Sequence, residues 1–127
     1  MRRIVLDMQC ALFADAISQA LVNNDPDFEP RRTEEPSDAV SLCRSSCAYA
    51  IIMEVTPYSP WRLEEHLRLS KEIKAAVSGC RVVLLVDEKA NAALAAEVRQ
   101  AKKDGLVNNF IYASVSPTYL SAVIDAL

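Results

Sequence analysis

Short apolar runs alternate with longer amphipathic segments along the whole chain. Runs rich in β-branched residues predict strands, and apolar residues spaced three or four apart predict helices. The predicted strands are Arg3–Met8, Asp27–Thr33, Ala48–Val55, Arg81–Val86 and Leu106–Tyr112. The predicted helices are Ala11–Val22, Pro36–Arg44, Arg62–Val77, Asn91–Lys103 and a last helix, in which Ser116 is the N-cap and Pro117 the first residue. The pattern therefore gives five strand–helix pairs with short connections.

This alternation predicts the fold class. Strands that alternate with helices form parallel sheets with right-handed crossovers and helices on both faces. The continuous apolarity of Ala48–Val55 indicates a strand buried on both faces, and Pro30 indicates that the second strand lies at an edge. Five such units in 127 residues match the flavodoxin-like plan. We expect residues 1–127 to form one domain, a three-layer α/β/α sandwich around a doubly wound five-stranded parallel sheet of order 2-1-3-4-5.

Composition excludes several functional classes. Apolar residues make up 51% of the chain, charged residues 24%, and the net charge is −3, which is ordinary for a soluble globular domain. No basic stripe is visible, so direct nucleic-acid binding is not expected. No apolar run approaches the roughly 18 residues of a membrane helix, so we expect no membrane contact and a cytoplasmic location. The only glycines, Gly79 and Gly105, form no dinucleotide fingerprint and no P-loop.

The cysteines and the single histidine give no clear chemical site. Cys43 and Cys47 are spaced to share one helix face, but Cys10 follows the first strand whereas Cys47 and Cys80 precede the third and fourth. Because these positions lie at opposite edges of a parallel sheet, we expect reduced thiols and no shared metal site. His66 lies on a highly charged helix, where a surface or half-buried role is more common than catalysis. We therefore expect no enzymatic activity.

Three acids close the first, third and fourth strands: Asp7, Glu54 and Asp87. In the order 2-1-3-4-5 these strands are neighbours, and their carboxyl ends border the crevice where such sheets bind ligands. Acids placed together repel each other unless a cation lies among them, and carboxylate oxygens suit magnesium. Asp7 and Glu54 are therefore candidate ligands of a magnesium ion, and Asp87 is the weakest candidate. The alternatives are a plain polar strand end for Glu54, a solvated loop for Asp87, and charge compensation by Arg62.

The chain resembles the receiver domains of bacterial two-component response regulators, the CheY-like family. The stretches IVLDM, AIIMEV and KKDGLVNNFIYASVSPTYLSAVIDAL carry the resemblance, which covers the whole chain. In the family an aspartate at the end of the third strand accepts a phosphoryl group, and acids after the first strand help to hold magnesium. A hydroxyl residue ends the fourth strand, and a lysine followed by proline ends the fifth. The resemblance makes Glu54 the position equivalent to the phosphoacceptor and Asp7 the remaining first-strand acid.

The chain departs from the family at the positions that carry the chemistry. Glu54 stands in place of aspartate, Val86 and Asp87 offer no hydroxyl, and Ala113–Ser114 replaces the lysine–proline pair. Glutamate is one methylene longer than aspartate, and a displacement of about that size can cost about 100-fold in rate. The resemblance therefore implies an atypical receiver domain that lacks efficient phosphorylation. Glu54 is also a candidate for a fixed negative charge that partly imitates a phosphorylated aspartate.

The resemblance implies signal transduction through protein contacts, with a sensor kinase or an output protein as partner. It also implies a homodimer through the fourth and fifth helices. The predicted interaction face consists of Arg99, Lys102, Lys103, Tyr112 and Tyr119. Two other functions are compatible with the sequence. One is a magnesium-dependent, phosphate-responsive switch that works through Asp7 and Glu54, and the other is a flavodoxin-like module that binds a small molecule.

Overall fold

A computed structural model describes residues 1–127 and contains a five-stranded parallel sheet of order β2-β1-β3-β4-β5. The strands are β1 (Arg2–Asp7), β2 (Phe28–Arg32), β3 (Ala50–Val55), β4 (Arg81–Val86) and β5 (Asn109–Tyr112). The helices are α1 (Ala11–Asn24), α2 (Ala39–Ser46), α3 (Leu63–Ala76), α4 (Ala92–Lys103) and α5 (Pro117–Asp125), and a 3-10 turn at Pro36–Asp38 precedes α2. The predicted fold class and strand order are confirmed, and Pro30 lies on the edge strand β2. No helix has the length and apolarity to cross a membrane.

The sheet separates two hydrophobic clusters. Alternate strand residues such as Leu6, Ile52 and Leu85 pack with α1 and α5 on one face. Their neighbours, such as Val5 and Met53, pack with α2, α3 and α4 on the other face. Because strand residues alternate between the faces, a shift of one residue in a strand exchanges the environment of every side chain in it. This alternation decides where the acids at the strand ends point.

The helix ends follow the capping signals in the sequence. The Asn91 side chain accepts a hydrogen bond from the Leu94 N–H at 2.9 Å, and Ser116 accepts one from the Tyr119 N–H at 3.1 Å, so both are N-caps. The fifth strand was predicted to begin at Leu106, but it begins at Asn109. Leu106 instead closes α4, because its N–H donates to the Ala101 carbonyl at 3.0 Å. Leu106 is apolar, as strand residues often are, so the sequence pattern included it in the strand although it belongs to the end of the helix.

The ends of α2 and α4 share one backbone motif but differ in its central residue. Each helix is followed by a residue in the left-handed region, which is Gly105 (φ +75°) after α4 and Cys47 (φ +49°) after α2. Two backbone hydrogen bonds close each helix end, one from this residue and one from the residue after it. Glycine adopts this region without the steric cost that a Cβ atom brings. Cys47 is exposed, so its side chain supplies little packing in return.

Replacement Cys47→Gly is therefore expected to raise the free energy of unfolding by about 0.5–1 kcal/mol, because it removes the Cβ clash in the left-handed region. Urea denaturation followed by circular dichroism measures the change. Cys47→Ala is the matched control, because it keeps the Cβ and should leave stability nearly unchanged. Equal stabilities of the two variants would show that the backbone at Cys47 carries no strain.

Candidate functional site

The strand ends do not bring all three acids together. In the sheet Asp7 lies beside Met53, and Glu54 lies beside Leu85. Since successive residues point to opposite faces, Asp7 turns toward the α2–α3–α4 side and Glu54 toward the α1–α5 side. The expectation that Asp7 and Glu54 share one crevice therefore does not hold in the structure, because the strand register separates their side chains.

A cavity of about 490 Å³ lies at the carboxyl edge of the sheet. The β1–α1 connection, the β3–α3 loop, the beginning of α4 and the residue after β5 enclose it. Eight of its fourteen lining residues are hydrophobic, and none of the fourteen is basic. Glu54, Asp87, Cys10, Tyr58 and Ala113 are among them. The cavity lies where the sequence predicted a ligand crevice, and it contains two of the three predicted acids.

Both carboxylates in the cavity already accept hydrogen bonds from the backbone. Oε1 of Glu54, which is half-buried, accepts the N–H of Cys10 at 3.0 Å. Oδ1 of Asp87 accepts the N–H groups of Lys89 and Ala90 at 3.2 and 3.1 Å. These bonds tie Glu54 to the start of α1 and fix Asp87 in the turn that leads to α4. Charge compensation by Arg62 is not seen, because its guanidinium pairs with Glu64 at 2.8 Å.

Asp7 and His66 form a buried pair behind the cavity. Both side chains are fully buried, and Oδ2 of Asp7 lies 3.6 Å from Nδ1 of His66. The other ring nitrogen of His66, Nε2, lies 2.8 Å from the backbone carbonyl oxygen of Glu54. Thr33 donates its hydroxyl to Oδ1 of Asp7 at 3.4 Å. The pair thus connects the end of β1, the first turn of α3 and the backbone of the very residue whose carboxylate faces the cavity.

The geometry of the pair fixes the position of one proton on His66. A carbonyl oxygen only accepts hydrogen bonds, so Nε2 of His66 carries a proton and donates it to Glu54. In a neutral ring Nδ1 then presents a lone pair to Oδ2 of Asp7, and neither atom has another partner. The contact is attractive only when one proton lies between these two atoms. At 3.6 Å the two atoms are close but beyond hydrogen-bond distance, so a proton on either atom relieves the repulsion between their lone pairs without forming a hydrogen bond.

The pKa values of the two groups agree with a pair that favours its neutral form. Burial raises the pKa of Asp7 to about 6, while Thr33 and the indole of Trp61 act in the opposite direction. Burial also lowers the pKa of His66, opposed by the bond to the Glu54 carbonyl and the charge of Glu65. Both shifts disfavour charge in the same buried space. Below about pH 6 the carboxyl group of Asp7 is therefore neutral, because its pKa is raised to about 6.

These positions do not suit a magnesium ion held by Asp7 and Glu54 together. Magnesium needs oxygen ligands at near-octahedral positions around one point. Asp7 faces His66 on one side of the sheet, and Glu54 faces the cavity on the other. Nowhere in the chain do three or more histidine, cysteine, aspartate or glutamate side chains gather as ligands would.

His66 is the site residue that sequence reasoning placed wrongly, since it is fully buried instead of at or near the surface. A signal for its burial exists in the helical spacing. His66, Ser70 and Ile73 lie three and four residues apart, and all three are buried along one stripe of α3. The exposed side of α3 is rich in charged residues, so the helix as a whole indicated a surface position for His66.

The predicted interaction face lies around a groove of about 680 Å³ between α4, β5 and α5. Lys102, Tyr112 and Tyr119 line this groove, and Tyr119 is 57% exposed. Arg99 donates to the hydroxyl of Tyr112 at 2.7 Å, which links α4 to β5. Lys103 is exposed at the end of α4 but does not line the groove. Four of the five predicted residues therefore belong to one continuous surface.

No protein-family model matches the sequence, and no curated protein is significantly similar to it. Solved structures, in contrast, share its fold. A response regulator receiver domain from Clostridium thermocellum matches with a TM-score of 0.78 at 16% identity, covering 99% of this chain and 93% of its own. A LuxR-family DNA-binding response regulator from Staphylococcus aureus matches with a TM-score of 0.77 at 16% identity, covering 99% and 98%. An orphan response regulator of H. pylori matches with a TM-score of 0.74 at 20% identity, covering 98% and 94%.

Proposed function

We propose that the chain, which has the fold of response regulator receiver domains, is an atypical receiver that acts in signal transduction through protein contacts. It does not depend on efficient phosphorylation of Glu54 and carries out no enzymatic reaction. One observation supports this most directly: the cavity around Glu54 contains no basic side chain, and the methyl group of Ala113 stands at the end of β5. The resemblance places a lysine at that position in the family.

Phosphoryl transfer to a carboxylate needs positive charge beside the phosphoryl oxygens, because attacking group and phosphoryl group are both negative. At Glu54 no lysine or arginine supplies that charge, and no group of three or more ligand side chains converges to hold a cation. The oxygen Oε1 is also engaged with the Cys10 N–H at 3.0 Å, so it must leave this bond before it can attack. Both features favour a site that keeps its carboxylate unmodified.

Glu54 has a second role in this proposal, as a permanent negative charge. Its bond to the start of α1 and its carbonyl bond to His66 fix it between two helices, on opposite faces of the sheet. An unmodified Glu54 keeps one covalent form, whereas an aspartate that is phosphorylated and dephosphorylated alternates between two. The receiver fold would then present one conformation to its partners without an input from a kinase.

The α4–β5–α5 groove is the proposed contact face, for an output protein, a sensor kinase or a second copy of the chain. Tyrosine and arginine are enriched in the cores of protein interfaces, and Tyr119, Tyr112 and Arg99 provide them here. Charged residues at the margin, such as Lys103, contribute to orientation more than to affinity. The groove combines exposed aromatic surface with charge, as a transient interface does.

Intact mass spectrometry after incubation with magnesium and a small acyl phosphate tests the proposal. Wild type is expected to gain no phosphoryl group, and its molar mass in solution, measured by light scattering, should not change. Glu54→Asp is the matched variant, because it shortens the side chain by one methylene and leaves the charge in place. A gain in this variant alone would identify the methylene as the block. A phosphoryl group on Glu54 of the wild type would contradict the proposal.

A further inference from the structure

The cavity at the carboxyl edge of the sheet combines apolar walls with negative charge. Its volume of about 490 Å³ falls within the range of small-molecule sites in proteins, roughly 300–1,000 Å³. Eight of the fourteen residues that line it are hydrophobic, and they include Phe13, Leu85 and Leu94. Glu54 and Asp87 are the only acids among the fourteen, and none of the fourteen is basic. The cavity therefore offers an apolar space beside two negative groups.

The two carboxylates belong to neighbouring strand ends on one side of the sheet. Glu54 is paired with Leu85 in the register of β3 and β4, so the side chains of these two residues point to the same face. Asp87 follows Leu85 by two residues, directly after the end of β4, and it lines the cavity with Glu54. From the spacing of strands and of residues along a strand, the Cα atoms of Glu54 and Asp87 are about 8 Å apart. One cationic group of a ligand can therefore approach both carboxylates.

Each carboxylate is held by the backbone through one oxygen and keeps its other oxygen free. The Cys10 N–H donates to Oε1 of Glu54, and the N–H groups of Lys89 and Ala90 donate to Oδ1 of Asp87. No hydrogen bond within the chain reaches Oε2 of Glu54 or Oδ2 of Asp87, and neither oxygen is buried. The side chains are thus fixed in place with two acceptors left for a donor that the chain does not supply.

The cations nearest to the cavity in the sequence do not compensate its charge. The guanidinium of Arg62 pairs with Glu64 at 2.8 Å, and Lys89 does not line the cavity although it is two residues beyond Asp87. At the end of β5 the cavity meets the methyl group of Ala113. Two carboxylates that share a site repel each other unless a cation lies between them. A bound cation would therefore relieve a repulsion that the chain itself leaves in place.

We propose that this cavity binds an organic cation, a primary amine whose ammonium group lies between Glu54 and Asp87 and whose apolar body fills the hydrophobic part of the cavity. An ammonium group carries three N–H donors, which is enough for both free oxygens. Hydrogen bonds between two charged groups are stronger than those between neutral groups. Tyr58 lines the cavity but is 66% exposed, so its ring lies at the mouth, where it can cover the bound amine.

The lining of the cavity favours this ligand over a metal ion, an anion or a neutral molecule. Magnesium needs several oxygen ligands around one point, whereas two carboxylates stand here beside a mostly apolar space. An anion would meet negative charge and no basic side chain. A neutral apolar molecule would take water away from two carboxylates and give them no partner in return. The inference goes beyond the proposed function, because it adds a small-molecule ligand to the domain.

The test follows the amide resonances of the isotope-labelled wild-type chain by NMR while 2-phenylethylamine is added at constant pH and ionic strength. We expect saturable shifts with a dissociation constant of about 1 mM or lower. The largest shifts should belong to Cys10, Lys89 and Ala90, whose N–H groups donate to the two carboxylates. Two probes separate the parts of the ligand: 2-phenylethanol lacks the charge, and ethylamine lacks most of the apolar body. Each is expected to bind about tenfold more weakly, or weaker still.

Two variants test the role of each carboxylate. Glu54→Gln and Asp87→Asn remove one charge each and keep an oxygen that accepts the backbone hydrogen bonds. Each is expected to weaken the binding of 2-phenylethylamine about tenfold. Asp15→Asn is the matched control, because it removes a charge from an exposed residue of α1 that does not line the cavity. Its affinity should stay within about twofold of that of the wild type.

The wild-type titration decides the proposal without relying on the folding of a variant. The proposal is overturned if wild type shows no saturable shifts, or if 2-phenylethanol or ethylamine binds as tightly as 2-phenylethylamine. It is also overturned if the largest shifts lie in the α4–β5–α5 groove, or if both carboxylate variants bind as tightly as wild type. Phosphorylation is measured separately by mass, so a failure of amine binding leaves the proposed function standing. A phosphoryl group on Glu54 would contradict the proposed function alone.

Discussion

Replacement of His66 by alanine is expected to lower the free energy of unfolding by about 3–5 kcal/mol, among the largest effects of any single substitution in the chain. The imidazole fills a fully buried position and donates to the Glu54 carbonyl at 2.8 Å. Its removal leaves a cavity, a Glu54 carbonyl without its side-chain donor, and an Asp7 carboxyl group whose Oδ2 has no hydrogen-bond partner. Urea denaturation at pH 6, followed by circular dichroism, measures the loss.

Arg68→Ala is the control for this experiment, because Arg68 is exposed on the same helix. Its replacement should change stability by no more than about 0.5 kcal/mol in either direction. A loss below about 1 kcal/mol for His66→Ala would mean that the imidazole contributes little to the stability of the fold. The view that the pair connects β1, β3 and α3 would then be wrong.

Replacement Asp7→Asn is expected to stabilise the protein at pH 8 by about 2–3 kcal/mol, from a pKa displacement of about two units at about 1.4 kcal/mol each. The amide keeps an oxygen for the Thr33 hydroxyl and offers an N–H to Nδ1 of His66. It therefore reproduces the protonated form of the carboxyl group at every pH. Urea denaturation of both proteins at pH 4, 6 and 8 measures the difference.

The sign of this pH dependence follows from the raised pKa of Asp7. The folded state holds the proton up to about pH 6, while the unfolded chain releases it near the ordinary value of 3.8. The stabilisation is fully present below the unfolded pKa and is lost as the pH rises through the folded pKa. The contribution of Asp7 to wild-type stability is thus lost between about pH 4 and 6, and the advantage of asparagine appears over the same interval. The lowered pKa of His66 acts in the opposite direction in both proteins, so the Asp7 effect is measured from the difference between them.

The groups around Asp7 do not obscure this comparison. His66, Thr33 and Trp61 are its polar neighbours, and all three are present in both proteins. Asp15→Asn on the exposed side of α1 is the matched control and should change stability by no more than about 0.5 kcal/mol. If Asp7→Asn is less stable than wild type at pH 8, Asp7 is ionised against a protonated His66. Asp7 and His66 would then be a buried ion pair and not two neutral groups.

The sequence by itself determined the architecture of this protein. The alternation of β-branched runs with helical stripes is a local property, and it predicted the five strands and five helices and the order of the sheet. Pro30 indicated the edge strand, and Asn91 and Ser116 indicated helix starts, because each of these residues acts on its own backbone or its near neighbours. The identity of Ala113 at the end of the fifth strand also came from the sequence alone.

Only the tertiary structure decided how the acids and the histidine are grouped. A shift of one residue in register exchanges the two faces of a sheet, so the sequence did not show that Asp7 and Glu54 point in opposite directions. The contact between Asp7 and His66 joins segments more than fifty residues apart. Such contacts arise from the packing of α2 and α3 against the sheet, and local propensity carries no information about them.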